Sequence, residues 1–107
     1  MLTEEAVREA VGRVVGAATS PRKVIVFGSY ARGDAREDSD LDLLVVEDEV
    51  ADMSQEYSRL RGAIGTIGTG VDVLIYPLAE FEKRKSWWST PVYWAVREGR
   101  VMYEREP

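Results

Sequence analysis

The stretch from Val24 to Val46 most constrains the fold, because two short apolar runs in it flank a polar connection that contains glycine. The runs, Val24–Phe27 and Leu41–Val46, have the length and the continuous apolar character of strands that are buried on both faces. A third apolar run, Val71–Tyr76, is ended by Pro77. The pattern predicts a small sheet whose strands are separated by loops and helices.

Three aspartates lie in or beside these runs. Asp40 and Asp42 stand two residues apart at the entry to the second run, so their side chains should share one face of a strand. The alternative is a turn followed by the edge of a strand. Asp72 lies in the third run and meets the pair if the two strands are neighbours. The alternative for Asp72 is an aspartate that caps a turn.

A cation explains these carboxylates best. Ionised carboxylates near an apolar layer are costly and repel each other unless a positive charge pairs with them. Hard oxygen ligands favour magnesium or manganese, and magnesium usually takes further oxygens from the phosphates of a substrate. The sequence therefore predicts a divalent-metal site formed by Asp40, Asp42 and Asp72.

The dipeptide Gly28-Ser29 supplies features that suit a phosphate. Glycine lets the backbone turn sharply after a strand and approach a ligand closely. Ser29 stands at the start of a predicted short helix, Tyr30–Ala35, and the free amides at the start of a helix favour phosphate. A phosphate cradle beside paired carboxylates indicates metal-assisted phosphoryl or nucleotidyl transfer.

The motif resembles that of a known family. Gly28-Ser29, ten residues and then Asp40-Leu41-Asp42 is similar to the signature of the nucleotidyltransferase superfamily related to DNA polymerase beta. The form GSYARGDAREDSDLDLLVV especially resembles the minimal nucleotidyltransferases, the MNT-domain proteins, many of which are antitoxins paired with HEPN-domain toxins. The resemblance covers most of the chain. It implies an α/β fold, the polymerase beta-like nucleotidyltransferase fold, with a small mixed β-sheet flanked by helices.

The resemblance also implies a role for each motif residue. Gly28 and Ser29 would hold the β- and γ-phosphates of ATP, which is the substrate. Asp40 and Asp42 would hold two Mg²⁺ ions. Asp72 would ligate the metal nearer the acceptor and help to deprotonate the acceptor hydroxyl.

Two more residues are candidates for binding the nucleotide. Arg32 is close in sequence to Gly28-Ser29, and arginine suits phosphate geometrically. A solvated or structural arginine is the alternative for Arg32. Ser39 directly precedes Asp40 and can cap or orient the turn there.

The function follows from the resemblance. MNT antitoxins, as a class, transfer AMP to a tyrosine of the partner HEPN ribonuclease and silence it. The resemblance therefore implies a magnesium-dependent adenylyltransferase with ATP as donor and a hydroxyl of a protein partner as acceptor. One alternative is a non-catalytic antitoxin that neutralises its HEPN partner by docking alone. A second alternative is nucleotidyl transfer to a small molecule, as in aminoglycoside nucleotidyltransferases.

Composition limits the other possibilities. With 107 residues, the chain is expected to form one domain, residues 1–107, too short for a complete template-reading polymerase. A net charge of −5 argues against direct nucleic-acid binding and is compatible with a basic protein partner. The absence of cysteine and histidine excludes thiolate zinc sites and imidazole catalysis. No signal peptide, membrane-spanning run or lipidation motif is recognisable, so no membrane association and a cytoplasmic location are expected.

The remaining segments are predicted from their periodicity. Helical spacing predicts helices over Thr3–Ala18, Met53–Ile64, Leu78–Trp88 and Pro91–Glu98, with a last short strand at Val101–Tyr103. The helices are expected mostly on one face of the sheet. In the second helix the expected buried stripe is Met53, Tyr57, Leu60 and Ile64. The acidic segment Glu47–Asp52 is predicted to be a solvated loop, and the glycine-rich residues 62–70 a flexible one.

Aromatic residues are concentrated near the end of the chain, at Trp87, Trp88, Tyr93, Trp94 and Tyr103. Core packing is the favoured interpretation, and a partner surface is the alternative, because Trp and Tyr are frequent interface anchors. Since Trp87 and Trp88 are adjacent, helical geometry cannot bury both on one stripe, and one of them is expected to be exposed.

Overall fold

A computed structural model describes residues 1–105. Its elements follow in the order α1 (Glu4–Ala17), β1 (Pro21–Phe27), α2 (Ser29–Arg32), β2 (Leu41–Glu47), α3 (Met53–Ile64), β3 (Val71–Pro77), α4 (Leu78–Arg84), α5 (Pro91–Glu98) and β4 (Arg100–Glu104). None of the helices in this range is both long enough and apolar enough to span a bilayer.

The four strands form one mixed sheet in the order β3-β2-β1-β4. Strand β1 is antiparallel to both β2 and β4, whereas β2 and β3 are parallel. Helix α3 is the crossover that the parallel pair requires. The predicted α/β fold with a small mixed sheet is therefore confirmed.

Helices cover both faces of the sheet, so the expectation of helices mostly on one face is wrong. Helices α1 and α3 pack on the face formed by residues such as Val24 and Leu43. Helices α4 and α5 pack on the opposite face, which includes Ile25, Leu44 and Val46. The central strands are apolar on both faces, and each face has to be shielded from water. We call the face that α4 and α5 cover the α4/α5 face.

Polar side chains cap three of the helices. The hydroxyl of Thr3 accepts a hydrogen bond from the amide of Ala6 at 3.0 Å, and Asp52 does the same for the amide of Gln55 at 3.1 Å. Thr90 caps α5 in the same manner. Asp52 is exposed, as predicted for this segment, and also caps α3.

Several boundaries differ from the predicted ones. Strand β1 begins at Pro21 rather than Val24, and α2 ends at Arg32. Helix α4 ends at Arg84 rather than Trp88, because the hydroxyl of Thr90 donates to the carbonyls at the end of the helix and in the following turn. The predicted last strand is confirmed as β4.

The tryptophans are exposed, so the favoured interpretation of core packing is wrong for them. The inner side of α5 is filled by Val92 and Ala95, and that of α4 by Phe81. These residues already complete the α4/α5 face, which leaves Trp87, Trp88 and Trp94 on the outside.

The buried stripe of α3 also differs from the predicted one. Leu60 and Ile64 are buried as expected, but Met53 and Tyr57 are exposed. Their place on the stripe is taken by Glu56, whose carboxylate accepts hydrogen bonds from the amide and hydroxyl of Thr19 at 2.9 and 2.8 Å. The helix is turned so that these bonds form.

Glu47 is fully buried at the end of β2, which corrects the prediction of a solvated residue there. The amide of Ser20 donates to its Oε1 at 3.1 Å. Burial raises the pKa of Glu47 from 4.5 to about 7, and a hydrogen bond with Glu56 and the negative charge of Glu56 contribute to the rise. Glu56 is also paired with Arg59, 3.4 Å away. A protonated Glu47 that donates to an ionised Glu56 satisfies both groups.

The Glu47–Glu56 pair predicts that the protein loses stability as the pH rises. The pKa of Glu47 is raised in the folded state, so the unfolded chain releases this proton first and the loss falls between about pH 4.5 and 7. Glu47→Gln supplies a permanent donor, and at pH 8 it should increase the free energy of unfolding by about 1–3 kcal/mol. Chemical denaturation at pH 5 and 8 measures this effect.

Glu49→Gln is the matched control, since Glu49 is two residues away and exposed. It should change the free energy of unfolding by less than about 0.5 kcal/mol at either pH. A Glu47→Gln protein that is less stable than the wild type at pH 8 would contradict the shared proton.

Candidate active site

The central residue of the site is Asp42, the second residue of β2. In the antiparallel pair with β1 it lies opposite Phe27, directly before Gly28. In the parallel pair with β3 it lies opposite Asp72. Because the sheet brings β1, β2 and β3 side by side in this register, two carboxylates and the Gly28 turn meet at one end of the sheet. Asp42 and Asp72 both project toward the α4/α5 face.

The electrostatics of Asp42 reflect this crowding. The pKa of Asp42 is raised from 3.8 to about 6, chiefly by burial and then by the charge of Asp72, a hydrogen bond with Asp72 and the charge of Asp40. The positive charge of Arg32 opposes this rise. Three aspartates thus act on one another here, with one arginine close enough to act on Asp42.

Gly28 is required at its position for two independent reasons. Its φ of +72° lies in the region that favours glycine. A Cβ atom at this position would also overlap the Oδ2 atom of Asp42. Its carbonyl accepts hydrogen bonds from the amides of Ala31 and Arg32, both at 3.1 Å, and so closes the turn that begins α2. The backbone of the turn therefore lies directly against the Asp42 carboxylate.

Asp40 is positioned by a second glycine, Gly70, which lies in the segment predicted to be a flexible loop. A Cβ atom on Gly70 would overlap Oδ1 of Asp40. The carbonyl of Gly70 accepts the amide of Leu41 at 2.9 Å, and the hydroxyl of Thr69 donates to the carbonyl of Ser39 at 2.8 Å. This end of the loop is therefore anchored to the start of β2. The available signal was a glycine two residues before Asp72, directly ahead of an apolar run.

The other predicted residues lie around this centre. Ser29 is the first residue of α2, directly after Gly28. Arg32 is exposed at the end of α2, where its Nε atom lies 3.4 Å from Asp34. The hydroxyl of Ser39 accepts the amide of Arg36 at 2.8 Å, so it orders the loop before Asp40. The structure therefore brings Gly28, Asp42 and Asp72 together. Arg32 and Ser39 instead bond to residues of the adjoining loop.

The chemistry of these donors fits a magnesium ion only in part. Within residues 1–105, no group of three or more acidic, histidine or cysteine side chains is close enough together to hold one ion. Asp42 and Asp72 nevertheless form a partly desolvated pair that is strained by its own charge, which a divalent cation would relieve. Magnesium commonly binds through one or two carboxylates and completes its shell with water and substrate phosphates. The pair matches that pattern.

The contact between Gly70 and Asp40 predicts the effect of a methyl group. Gly70→Ala should displace the Asp40 carboxylate and weaken binding of magnesium and nucleotide by at least about tenfold, while the protein remains folded. Titration calorimetry with ATP and magnesium measures the affinity.

Gly62→Ala is the control, because Gly62 lies in α3 with open space around it. It should leave the affinity unchanged and stabilise α3 by about 0.5–1 kcal/mol. Equal affinities of the two variants would exclude this role of Gly70.

Comparison with known proteins places this geometry in a family. The profile of the nucleotidyltransferase domain family matches residues 5–95. A relative from Methanocaldococcus jannaschii, provisionally named a protein adenylyltransferase, is 34% identical over 83 residues, which are 77% of this chain and 78% of that protein. The protein adenylyltransferase MntA of Thermococcus cleftensis is 53% identical over 54 residues, which are 50% of this chain and 54% of that one.

A solved structure gives the same fold. It is a crystal structure of a toxin–antitoxin with AMP-PNP, and the two chains superpose with a TM-score of 0.63 at 17% sequence identity. The superposition covers 98% of this chain and 76% of the other. The match over residues 5–95 and the assembled carboxylate site together show that this chain belongs to the nucleotidyltransferase domain family and is a nucleotidyltransferase.

Proposed function

We propose that this nucleotidyltransferase transfers AMP from ATP to a tyrosine hydroxyl of a protein partner, and that it acts as the antitoxin of a HEPN ribonuclease toxin. The names of two relatives, both protein adenylyltransferases, support the reaction. The structure with the same fold is a toxin–antitoxin with an ATP analogue, which supports the donor and the kind of partner. The HEPN class and the tyrosine follow from the resemblance of the GSYARGDAREDSDLDLLVV motif.

One observation carries the proposed chemistry, namely that Asp42 and Asp72 stand opposite each other on parallel strands beside the turn at Gly28. A carboxylate pair alone has many structural uses. A carboxylate pair packed against a glycine turn instead brings a site for positive charge next to a site for phosphate. Nucleotidyl transfer requires that arrangement.

The residues of the chain have distinct proposed roles in binding. Gly28 lets the backbone approach the nucleotide, and the Ser29 hydroxyl donates to the β- and γ-phosphates. Arg32 lies on the exposed side of α2, where it can pair with the same phosphates, and Ser39 holds the loop that carries Asp40. Asp40, Asp42 and Asp72 would hold two Mg²⁺ ions. When bound, these ions would neutralise the developing charge on phosphate oxygens and lower the pKa of the acceptor hydroxyl.

The chemical step is an in-line displacement. The oxygen of the acceptor hydroxyl attacks the α-phosphorus of ATP, and the bond from the α-phosphorus to the oxygen that bridges to the β-phosphate breaks. The products are a phosphodiester on the partner and pyrophosphate. Asp72 is exposed, unlike the half-buried Asp42, so we assign to Asp72 the removal of the hydroxyl proton. The chain contains no histidine that could take this role.

We place the reaction in the cytoplasm, where its nucleotide donor and a ribonuclease toxin would meet. The chain is acidic, with a net charge of −5, which disfavours a nucleic acid as the partner. The acceptor hydroxyl is proposed to come from the partner and to enter from the side on which Asp72 is exposed.

The reaction predicts a specific change in mass. The purified chain, ATP and magnesium are incubated with the protein encoded by the neighbouring reading frame, and intact-mass spectrometry should show the gain of one AMP on that protein. Asp42→Asn should slow the transfer by at least about a hundredfold while the variant stays folded. Asp38→Asn, an exposed aspartate of the loop that precedes β2, is the control and should transfer AMP at the wild-type rate.

This experiment, together with a test of toxin neutralisation in cells, separates the alternatives. If Asp42→Asn still neutralises the toxin fully in cells, the chain acts by docking, and the catalytic proposal is wrong. If no protein gains mass but AMP appears on an added small molecule that carries a hydroxyl, the acceptor has been misassigned. Transfer at an undiminished rate by Asp42→Asn would remove Asp42 from the mechanism.

A further inference from the structure

Three tryptophans form an exposed surface that the proposed chemistry does not use. The exposed fractions of Trp87, Trp88 and Trp94 are 47%, 72% and 47%. Single exposed apolar residues need no explanation, whereas neighbouring large ones mark a site of interaction. We call these three residues the tryptophan surface. They account for every tryptophan in the sequence.

Hydrogen bonds hold the tryptophan surface together. The indole Nε1 of Trp94 donates to the carbonyl of Trp88 at 2.8 Å, which ties α5 to the preceding turn. The hydroxyl of Thr90 donates to the carbonyls of Trp87 and Arg84 at 2.8 and 3.1 Å. Trp94 also meets the ring of Tyr93 edge to face, with 5.0 Å between the ring centres. These contacts fix the backbone of the turn and the ring of Trp94, so this part of the surface loses little conformational entropy when it binds.

Cations border the tryptophan surface. The ammonium group of Lys83 lies 5.9 Å from the centre of the Trp87 ring, and the guanidinium of Arg97 lies 5.1 Å from that of Tyr93. Among the ion pairs found in residues 1–105, none joins Lys83 or Arg97 to a carboxylate. By contrast, Arg84 at the end of α4 is paired with Glu80, and Lys85 directly after the helix is paired with Glu82. An apolar patch with unpaired positive charges at its rim is complementary to a partner surface that has an apolar strip with carboxylates at its edge.

The position of the surface connects it to the active site. Helices α4 and α5 cover the face of the sheet toward which Asp42 and Asp72 project. Helix α5 ends at Glu98, and a Cβ atom on the next residue, Gly99, would overlap the side chain of Ile25 and the carbonyl of Val26. Val26 is two residues before Gly28. A partner seated on α5 therefore lies on the same side of the sheet as the carboxylates.

We infer that the tryptophan surface docks the protein that carries the acceptor hydroxyl, and that this protein contributes an apolar strip edged by carboxylates. The identity of that protein as the acceptor rests on the proposed function. A protein fits better than a single-stranded nucleic acid, which also stacks on tryptophan, because the chain as a whole carries a net charge of −5 and would repel a polyanion.

Binding in the absence of nucleotide tests this inference separately from catalysis. The affinity of the chain for the protein encoded by the neighbouring reading frame is measured by calorimetry without ATP. Trp88→Ala and the double variant Trp88→Ala/Trp94→Ala should each bind at least about tenfold more weakly than the wild type. Lys83→Glu should also weaken binding and reduce its dependence on salt. Both tryptophan variants should keep the wild-type affinity for ATP and magnesium, which shows that they are folded.

Tyr57→Ala is the matched control, since Tyr57 is a similarly exposed aromatic residue on α3, which packs on the opposite face. It should bind the partner like the wild type. Equal affinity of the tryptophan variants and the wild type, or no binding by the wild type, would overturn the inference. Quenching of tryptophan fluorescence by oligo(dT) at physiological salt, or concentration-dependent dimerisation lost in Trp88→Ala, would also overturn it. If binding behaves as expected but no AMP is transferred, the docking surface stands and the proposed reaction fails.

Discussion

The repulsion between Asp42 and Asp72 is the constraint on which the site depends. The parallel pairing of β2 and β3 sets these carboxylates opposite each other, and burial of Asp42 prevents water from screening them fully. The pKa of Asp42 rises to about 6 as a result. A sheet that merely needed stability would have an apolar residue there, as it does at Leu44 two residues further on. The stability lost through this repulsion is understandable if a bound cation and a nucleotide relieve the repulsion.

The rest of the fold serves to hold this unfavourable arrangement. Both faces of the sheet are covered, so the strands cannot shift in register without exposing apolar side chains. Two glycines then make room for two carboxylates, Gly28 for Asp42 and Gly70 for Asp40. The charge conflict is therefore confined to one end of the sheet. At the other end, the buried Glu47 and Glu56 meet a similar conflict, and the pKa of Glu47 is raised to about 7.

The sequence alone predicts the parts of the site that depend on local geometry. The two-residue period of a strand puts Asp40 and Asp42 on one side, and the apolar runs identify the strands that bring Asp72 near them. The contact of Gly70 was not predicted, because a glycine in a segment without an apolar pattern does not show which carboxylate will pack against it. The burial of Glu47 depends in the same way on a partner, Glu56, that a hydrophobicity pattern treats as solvated.

The errors about the helices have one physical origin. Periodicity identifies the apolar side of a helix but does not say which face of the sheet that side will cover, nor how much of the face remains open. Small residues, Val92 and Ala95, fill the α4/α5 face, and the larger tryptophans are therefore left outside. The exposed tryptophans and the misassigned stripe of α3 both follow from contacts that only the tertiary structure determines.

The stability of Asp42→Asn, with and without ATP and magnesium, tests the central claim most directly. At pH 8 and without ligands, Asp42 is ionised in the folded state, so Asp42→Asn should be more stable than the wild type by an amount on the order of 1 kcal/mol. Ligand at a hundred times its dissociation constant should stabilise the wild type by about 2.7 kcal/mol and leave the variant unchanged. If the variant has the larger free energy of unfolding without ligand and the wild type has the larger one with ligand, Asp42 is retained for binding at the expense of stability. A variant that is less stable without ligand, together with a wild type that does not respond to ATP and magnesium, would contradict the account.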